Sequence, residues 1–170
     1  MQRSSFSDMP CSVARTLDII GEWWSLLVLR DVFYGVRRFE ALRSHLCISR
    51  KVLTSRLQRL TDEEILKKVP YQQQPIRFEY QLTKKGQDLL PVLLTIMNWG
   101  DRWLSEADKV PVIFVHKDCG KEITPKLVCS HCDGELTAHN VRPIPGPGAP
   151  PEEIERLRHA SVNSKLFTKE

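Results

Sequence analysis

Residues 39–62 read FEALRSHLCISRKVLTSRLQRLTD, and the apolar spacing within them decides the fold. Phe39, Leu42 and Leu46 recur at helical intervals and predict a short helix over Phe39–Leu46. Cys47-Ile48-Ser49 interrupts that pattern. Ser49 is a natural N-cap, because its hydroxyl can accept from the free amides of the turn that follows. Leu53, Leu57 and Leu60 then repeat at i, i+4 and i+7, predicting a second helix from Arg50 to about Asp62. Its other face carries Arg50, Lys51, Thr54, Ser55, Gln58 and Arg59. A short helix, a tight turn and a helix that is basic on its outer face form a helix-turn-helix, whose second helix enters the DNA major groove.

Charge supports this reading. From Gly35 to Leu60 there are seven basic residues, Arg37, Arg38, Arg43, Arg50, Lys51, Arg56 and Arg59, against the single acid Glu40, a net charge of +6. The whole chain of 170 residues is only +4, so the remainder is net acidic. Positive charge focused on one short segment suits a polyanion. Arg50, Lys51, Thr54, Ser55 and Gln58 are placed for base edges, which carry sequence information, and Ser49 opens the helix among the DNA-binding residues. Arg37, Arg38, Arg43 and Arg59 are placed for phosphates, which position without specifying. The competing reading is a pair of surface helices with solvated charges.

Downstream, Leu66–Tyr71 and Arg77–Leu82 read as strands joined by a polar turn with Pro75. A hairpin directly after a recognition helix is a wing. Its tip, with Gln73 and Arg77, suits the minor groove or the backbone. Upstream, Cys11–Ile20 and Trp23–Phe33 read as helices, the second ended by Gly35. After Thr83, a further N-cap, a helix is expected from Lys84 to about Ala107, kinked at Pro91. Leu89, Leu90, Val92, Leu93, Leu94, Ile96, Met97, Trp99, Trp103 and Leu104 cannot all fit one stripe. A helix apolar on two faces buries the second against a partner, and the economical partner is a second copy of the chain. Trp23 and Trp24, beside that helix, are where a small-molecule effector would be sought.

Three stretches together resemble one known family. Cys11-Ser-Val-Ala-Arg-Thr-Leu-Asp-Ile-Ile-Gly21, followed by Trp24 and Leu29-Arg30-Asp31, resembles the opening of the HxlR-type winged-helix regulators. Arg38-Phe39-Glu40-Ala-Leu42 and Ile48-Ser49-Arg-Lys-Val-Leu53-Thr-Ser-Arg56-Leu57 resemble their helix-turn-helix. Glu79-Tyr80-Gln-Leu82-Thr83-Lys-Lys-Gly86 resembles the second wing strand and the entry to the dimer helix. The resemblance covers residues 10 to 105. It implies homodimers that bind operator DNA and regulate transcription, often in response to electrophiles or oxidants. There are two departures: Cys47 and Glu64 stand where such chains usually have glycine.

Some relatives build a thiol sensor at the position of Cys11, which here opens the first helix with Arg15 one turn on. A helix N-terminus favours the thiolate. Cys11 is therefore either a redox or electrophile sensor, with Cys47 as its second thiol, or a small packing residue. His116-x2-Cys119 and Cys129-x2-Cys132 offer four ligands in two pairs, a Cys3His set of the kind that binds structural zinc. The competing reading is a small β extension held by packing alone. No internal repeat is evident. His45 and His159 are isolated.

The expected architecture is mostly α: a winged helix-turn-helix with a two-stranded wing, a long C-terminal dimerisation helix and a small β extension. Residues 1–109 form the DNA-binding and dimerisation domain, 110–142 the cysteine-containing extension, and 143–170 a Pro/Gly linker and charged tail. No membrane-length apolar run or N-terminal signal is present, so a cytoplasmic protein with reduced thiols is expected. No enzyme signature stands: there is no phosphate-cradling glycine loop and no paired acid and base. The reading requires no cofactor, and structural zinc is the one candidate. Two rivals remain, a winged helix used for protein–protein contact and a thiol redox enzyme using Cys129-x-x-Cys132. The second lacks the βαβ context of such motifs.

Overall fold

The leucine spacing of the helix-turn-helix becomes a core. The computed structural model describes residues 5–106 and 109–162, with side chains to Arg158. The helices α1 (Ser12–Ile20), α2 (Trp23–Phe33), α3 (Phe39–Leu46) and α4 (Arg50–Asp62) lead into a wing of β1 (Leu66–Gln73) and β2 (Ile76–Leu82). Then follow α5 (Lys84–Gln87), α6 (Leu90–Leu104) and α7 (Pro151–Val162). The chain divides into two units between Ile113 and Phe114.

In the first unit, Leu53, Leu57 and Leu60 of α4 are fully buried in a cluster with Val28, Leu29 and Val32 of α2. Each buried leucine contributes about 2 kcal/mol. The central element is α2, which meets α1, α3, α4, β2 and α6. The wing is antiparallel, from Leu66↔Leu82 to Gln73↔Ile76, with a bulge between Pro70 and Gln72. Pro70 has no N–H to give the ladder, which fits its place beside the bulge. A segment before α3 joins the wing, unforeseen in the sequence: Arg38 bridges Glu79, and the Tyr80 amide donates to the Arg37 carbonyl at 2.8 Å.

The two helices of the motif end in the same device. After α3, the Ile48 amide donates to the Arg43 carbonyl (3.2 Å) and the Cys47 amide to that of Ser44 (3.3 Å). After α4, Ile65 donates to Leu60 (2.9 Å) and Glu64 to Thr61 (3.0 Å). This 6→1 and 5→2 pattern needs a left-handed residue just past the helix, usually glycine. Cys47 (φ 51°) and Glu64 (φ 56°) take that conformation with a Cβ. They are the two positions where the resembling family has glycine.

The single long helix expected from Lys84 is broken. Thr83 Oγ accepts from the Gly86 amide at 3.1 Å and its hydroxyl is shared between the carbonyls of Glu64 and Ile65, so the short α5 is held to the segment just past α4. A Cβ at Gly86 would lie 2.2 Å from the Ile65 carbonyl oxygen, so only glycine permits this approach. After the break, Pro91 sits in the first turn of α6, where its missing N–H has no helical partner to lose. Ala107, the expected end, lies outside the described residues. In the second unit the expected β extension is reduced to isolated bridges, Val115↔Glu122 and Val128↔Glu135.

Relieving the left-handed strain at Glu64 leads to an expected outcome. Glu64→Gly removes the Cβ clash, at some cost in backbone entropy, and should raise the unfolding free energy by about 0.5–1 kcal/mol. Urea unfolding monitored by circular dichroism measures it; a lower midpoint would contradict the assignment.

Candidate nucleic-acid interface

With Leu53, Leu57 and Leu60 turned inward, the opposite side of α4 presents Lys51, Thr54, Ser55 and Gln58, all exposed and spaced at i, i+3, i+4 and i+7. Ser49 is the N-cap, its Oγ accepting from the Val52 amide at 3.3 Å. Gln58 Nε2 donates to Asp62 Oδ1 at 2.7 Å, within the helix.

The seven cations of the segment are not equivalent. Glu40 takes two of them. Arg43 Nε donates to its carboxylate at 2.7 Å and Arg50 pairs with its other oxygen, the Arg50 guanidinium also lying over the Phe39 ring. The hydrogen bond from Arg43, with the charges of both arginines, holds the Glu40 carboxyl below its ordinary range. Arg59 is turned toward acids, 3.5 Å from Asp18 of α1 and 3.0 Å from Glu63. Arg56 lies 3.8 Å from Glu22. The Arg38 guanidinium stacks on the Tyr71 ring of the wing, 4.3 Å from its centre. Arg37, Lys51 and, near the wing tip, Arg77 are exposed and have no side-chain ion pair among the described residues. Gln73 is exposed opposite Ile76.

Sequence reasoning missed a polar contact behind this surface. Asp31 of α2 is fully buried, with Oδ1 accepting from Arg30 Nε (3.0 Å) and Nη2 (2.8 Å). Oδ2 lies 2.6 Å from Nδ1 of His45 on α3. His45, read as isolated, thus ties the first helix of the motif to α2. Nothing in residue spacing marks an aspartate within so apolar a helix as a buried acceptor.

Other expected sites are placed as follows. Cys11 is the exposed N-cap residue of α1, extended and without a side-chain cap bond, and Cys47 is exposed with Sγ 3.6 Å from the Ser44 carbonyl. All five cysteines are free thiols. His116 Nδ1 lies 3.4 Å from Cys119 Sγ. The Cys129 thiol is held below its ordinary value by the backbone amides of His131 and Cys132 and by the Cys132 thiol. The structure pairs the four zinc-type residues but does not gather them: among the described residues, no three His, Cys, Asp or Glu are grouped to hold a metal ion. Trp23 is 85% exposed, so no cavity encloses it within one chain. His159 has no described side chain.

A sequence profile of the HxlR-like helix-turn-helix family matches residues 19–108. The chain belongs to that family, whose members are transcriptional regulators. Among HxlR-like relatives, an uncharacterised HTH-type transcriptional regulator of Mycobacterium tuberculosis, Rv3095, is 45% identical over 137 residues, which is 81% of this chain and 87% of the relative. Another, YdeP of Bacillus subtilis, is 35% identical over 101 residues, covering 59% of this chain and 79% of that protein. Among solved structures, PA1607, described as a candidate transcription factor, shares 32% identity at a TM-score of 0.76, covering 84% of this chain and all of that one. The redox regulator HypR in its oxidised form shares 34% identity at a TM-score of 0.50, covering 54% of this chain and 96% of that one. The winged fold and the HxlR resemblance therefore hold. No described helix is long and apolar enough to cross a membrane.

Proposed function

We propose that this chain binds operator DNA as a homodimer, with α4 in the major groove and the wing beside it, and that Cys11 makes binding responsive to oxidants or electrophiles. The observation that carries the first part is the face of α4. Lys51, Thr54, Ser55 and Gln58 are exposed on a helix whose opposite side is locked into the core. Such a stripe offers donors and acceptors at base-edge reach, while Arg37, Arg38 and Arg77 flank it as phosphate contacts. Arg59, engaged by Asp18 and Glu63, serves chiefly to hold α4 to α1.

The dimer reading rests on α6. Val92, Ile96, Trp99 and Trp103 form one stripe at i, i+4, i+7 and i+11, all exposed, and only Leu93 of the helix is buried. Trp99 and Trp103 are 59% and 63% exposed. A second copy bringing the same stripe buries both, with Val13 and Leu17 on the exposed side of α1 available to extend the contact. The sensing reading rests on the exposed Cys11 thiol and on similarity to HypR, a redox regulator.

For DNA, selection from a random duplex pool should yield a twofold-symmetric operator. Arg37→Ala, which removes a phosphate contact, should flatten the log–log salt slope by about 0.9. Gln58→Ala should relax one base position by about 1–3 kcal/mol. Affinity for every duplex that ignores salt would instead favour a protein–protein role for the fold.

For the dimer, Trp99→Asp places a charge in the apolar contact and should convert the protein to monomer or aggregate. A wild-type chain that sediments as monomer at micromolar concentration contradicts the reading.

For Cys11, mild peroxide or a quinone should weaken operator binding of the wild type. Cys11→Ser should keep basal affinity and lose that response. An identical response in both proteins would leave Cys11 no sensing role.

A further inference from the structure

The second unit contains a thirteen-residue repeat, faint in residue type and plain in the backbone. Phe114-Val-His-Lys-Asp-Cys-Gly-Lys-Glu-Ile123 corresponds, position by position and thirteen residues on, to Leu127-Val-Cys-Ser-His-Cys-Asp-Gly-Glu-Leu136. The correspondence lies in the backbone. His116 and Cys129 amides donate to Lys121 and Gly134 carbonyls, each at 2.8 Å. Gly120 and Asp133 amides donate back to His116 and Cys129 carbonyls at 2.8 and 2.9 Å. Ile123 and Leu136 amides close the hairpins on Phe114 and Leu127 at 2.9 and 2.8 Å. Gly120 (φ 67°) and Asp133 (φ 55°) make the same left-handed turn.

Each hairpin tip thus holds two soft ligands at its first and fourth turn positions, His116 with Cys119 and Cys129 with Cys132. In the first tip, His116 Nδ1 and Cys119 Sγ are 3.4 Å apart. Nitrogen and sulfur on one tetrahedral zinc ion, bonded at roughly 2.0 and 2.3 Å, stand about 3.5 Å from each other. The other ring nitrogen, Nε2, has the Asp118 carboxylate 3.6 Å away, near enough to become a hydrogen-bond partner once Nδ1 is bound.

The unit also needs a staple. From Phe114 to Arg158 no described residue is buried, and Val115, Leu127, Val128 and Leu136 stay exposed. A fold this small without a core is usually held by a metal, a disulfide or a partner, and its cysteines are free.

We propose that the two tips close on one Zn²⁺, bound by His116 Nδ1 and by the Sγ atoms of Cys119, Cys129 and Cys132, and that this ion assembles the second unit. The pairs are not yet one group, so binding draws the tips together. The three thiols release three protons to solvent, and the resulting Zn(Cys)3His centre carries a net charge of −1. With four protein ligands there is no open position, so the role is structural. The site is independent of the DNA-binding reading.

The test uses the full chain without a polyhistidine tag, kept reduced. Elemental analysis should find one zinc per chain. Cobalt(II) added to the metal-free protein should give a thiolate charge-transfer band and tetrahedral d–d bands that saturate at one equivalent, and zinc should then displace it. Cys119→Ser and Cys132→Ser should each lose zinc, while Cys11→Ser and Cys47→Ser keep it. Chelation should open residues 114–142 to protease and leave the first unit resistant. Metal-free wild type that takes up no cobalt would overturn the proposal, whatever the folding of the serine variants. So would zinc retained by Cys132→Ser, or a stoichiometry of one ion per two chains.

Discussion

Three leucines of α4 against α2 are the constraint on which the rest of the first unit depends. With Leu53, Leu57 and Leu60 fully buried, the helix has no rotational freedom about its axis. Helical geometry then dictates that Lys51, Thr54, Ser55 and Gln58 face away from the core. The same cluster contains Leu66 and Tyr80, so the wing is anchored by the packing that orients the helix. Helix face and wing are thus consequences of one core rather than separate devices. Around it, α2 has a second function: through Asp31 it holds His45 of α3, so the angle of the whole motif is tied to a buried carboxylate as well as to apolar contact.

Most of this was legible because periodicity reports burial. The leucine repeat predicted α3 and α4 with their observed boundaries, and Ser49 and Thr83 cap as their chemistry suggests. The misses have physical causes. The helix from Lys84 is interrupted just before Pro91, the position of the expected kink, because the proline nitrogen has no hydrogen to give the Gln87 carbonyl. The kink is a full break between α5 and α6, which apolar spacing does not report. The third segment of the wing is a single bridge at Arg38, too short for any alternation to appear. The glycine departures at Cys47 and Glu64 changed nothing in the geometry. Both residues adopt the left-handed conformation, at a cost of about 1–2 kcal/mol each, which the surrounding core absorbs.

The second unit was the least legible part, for the same reason in reverse. Its order comes from turn hydrogen bonds rather than burial, so periodicity is silent there. His116 opposite Cys129 and Gly120 opposite Asp133 share backbone roles but not residue type, so the thirteen-residue repeat is carried in the sequence only by Val115/Val128, Cys119/Cys132 and Glu122/Glu135.

The candidate interface shows why formal charge is a poor measure of a binding surface. The segment from Gly35 to Leu60 is net +6 by composition, yet its cations are deployed unevenly. Glu40 binds Arg43 and Arg50 together, Arg59 faces Asp18 and Glu63, and Arg56 lies near Glu22. Three of these acids, Asp18, Glu22 and Glu63, lie outside the segment, so its local count omits them. Exposed pairs of this kind are worth little to stability, a median of about 0–1 kcal/mol. Their larger effect is positional. Arg43 and Arg50, fixed by one carboxylate across the turn between α3 and α4, are held in place without losing the trio's net positive charge. Arg37, Lys51 and Arg77 keep their charge uncompensated among the described residues. On the DNA-binding reading proposed above, long-range attraction to a polyanion falls mainly to a few cations spread over the motif and the wing, while the centre of the α4 face is left to the neutral donors and acceptors of Thr54, Ser55 and Gln58. That separation, cations at the margins and polar neutral groups in the middle, is what distinguishes a surface able to read a sequence from one that merely adheres to phosphate.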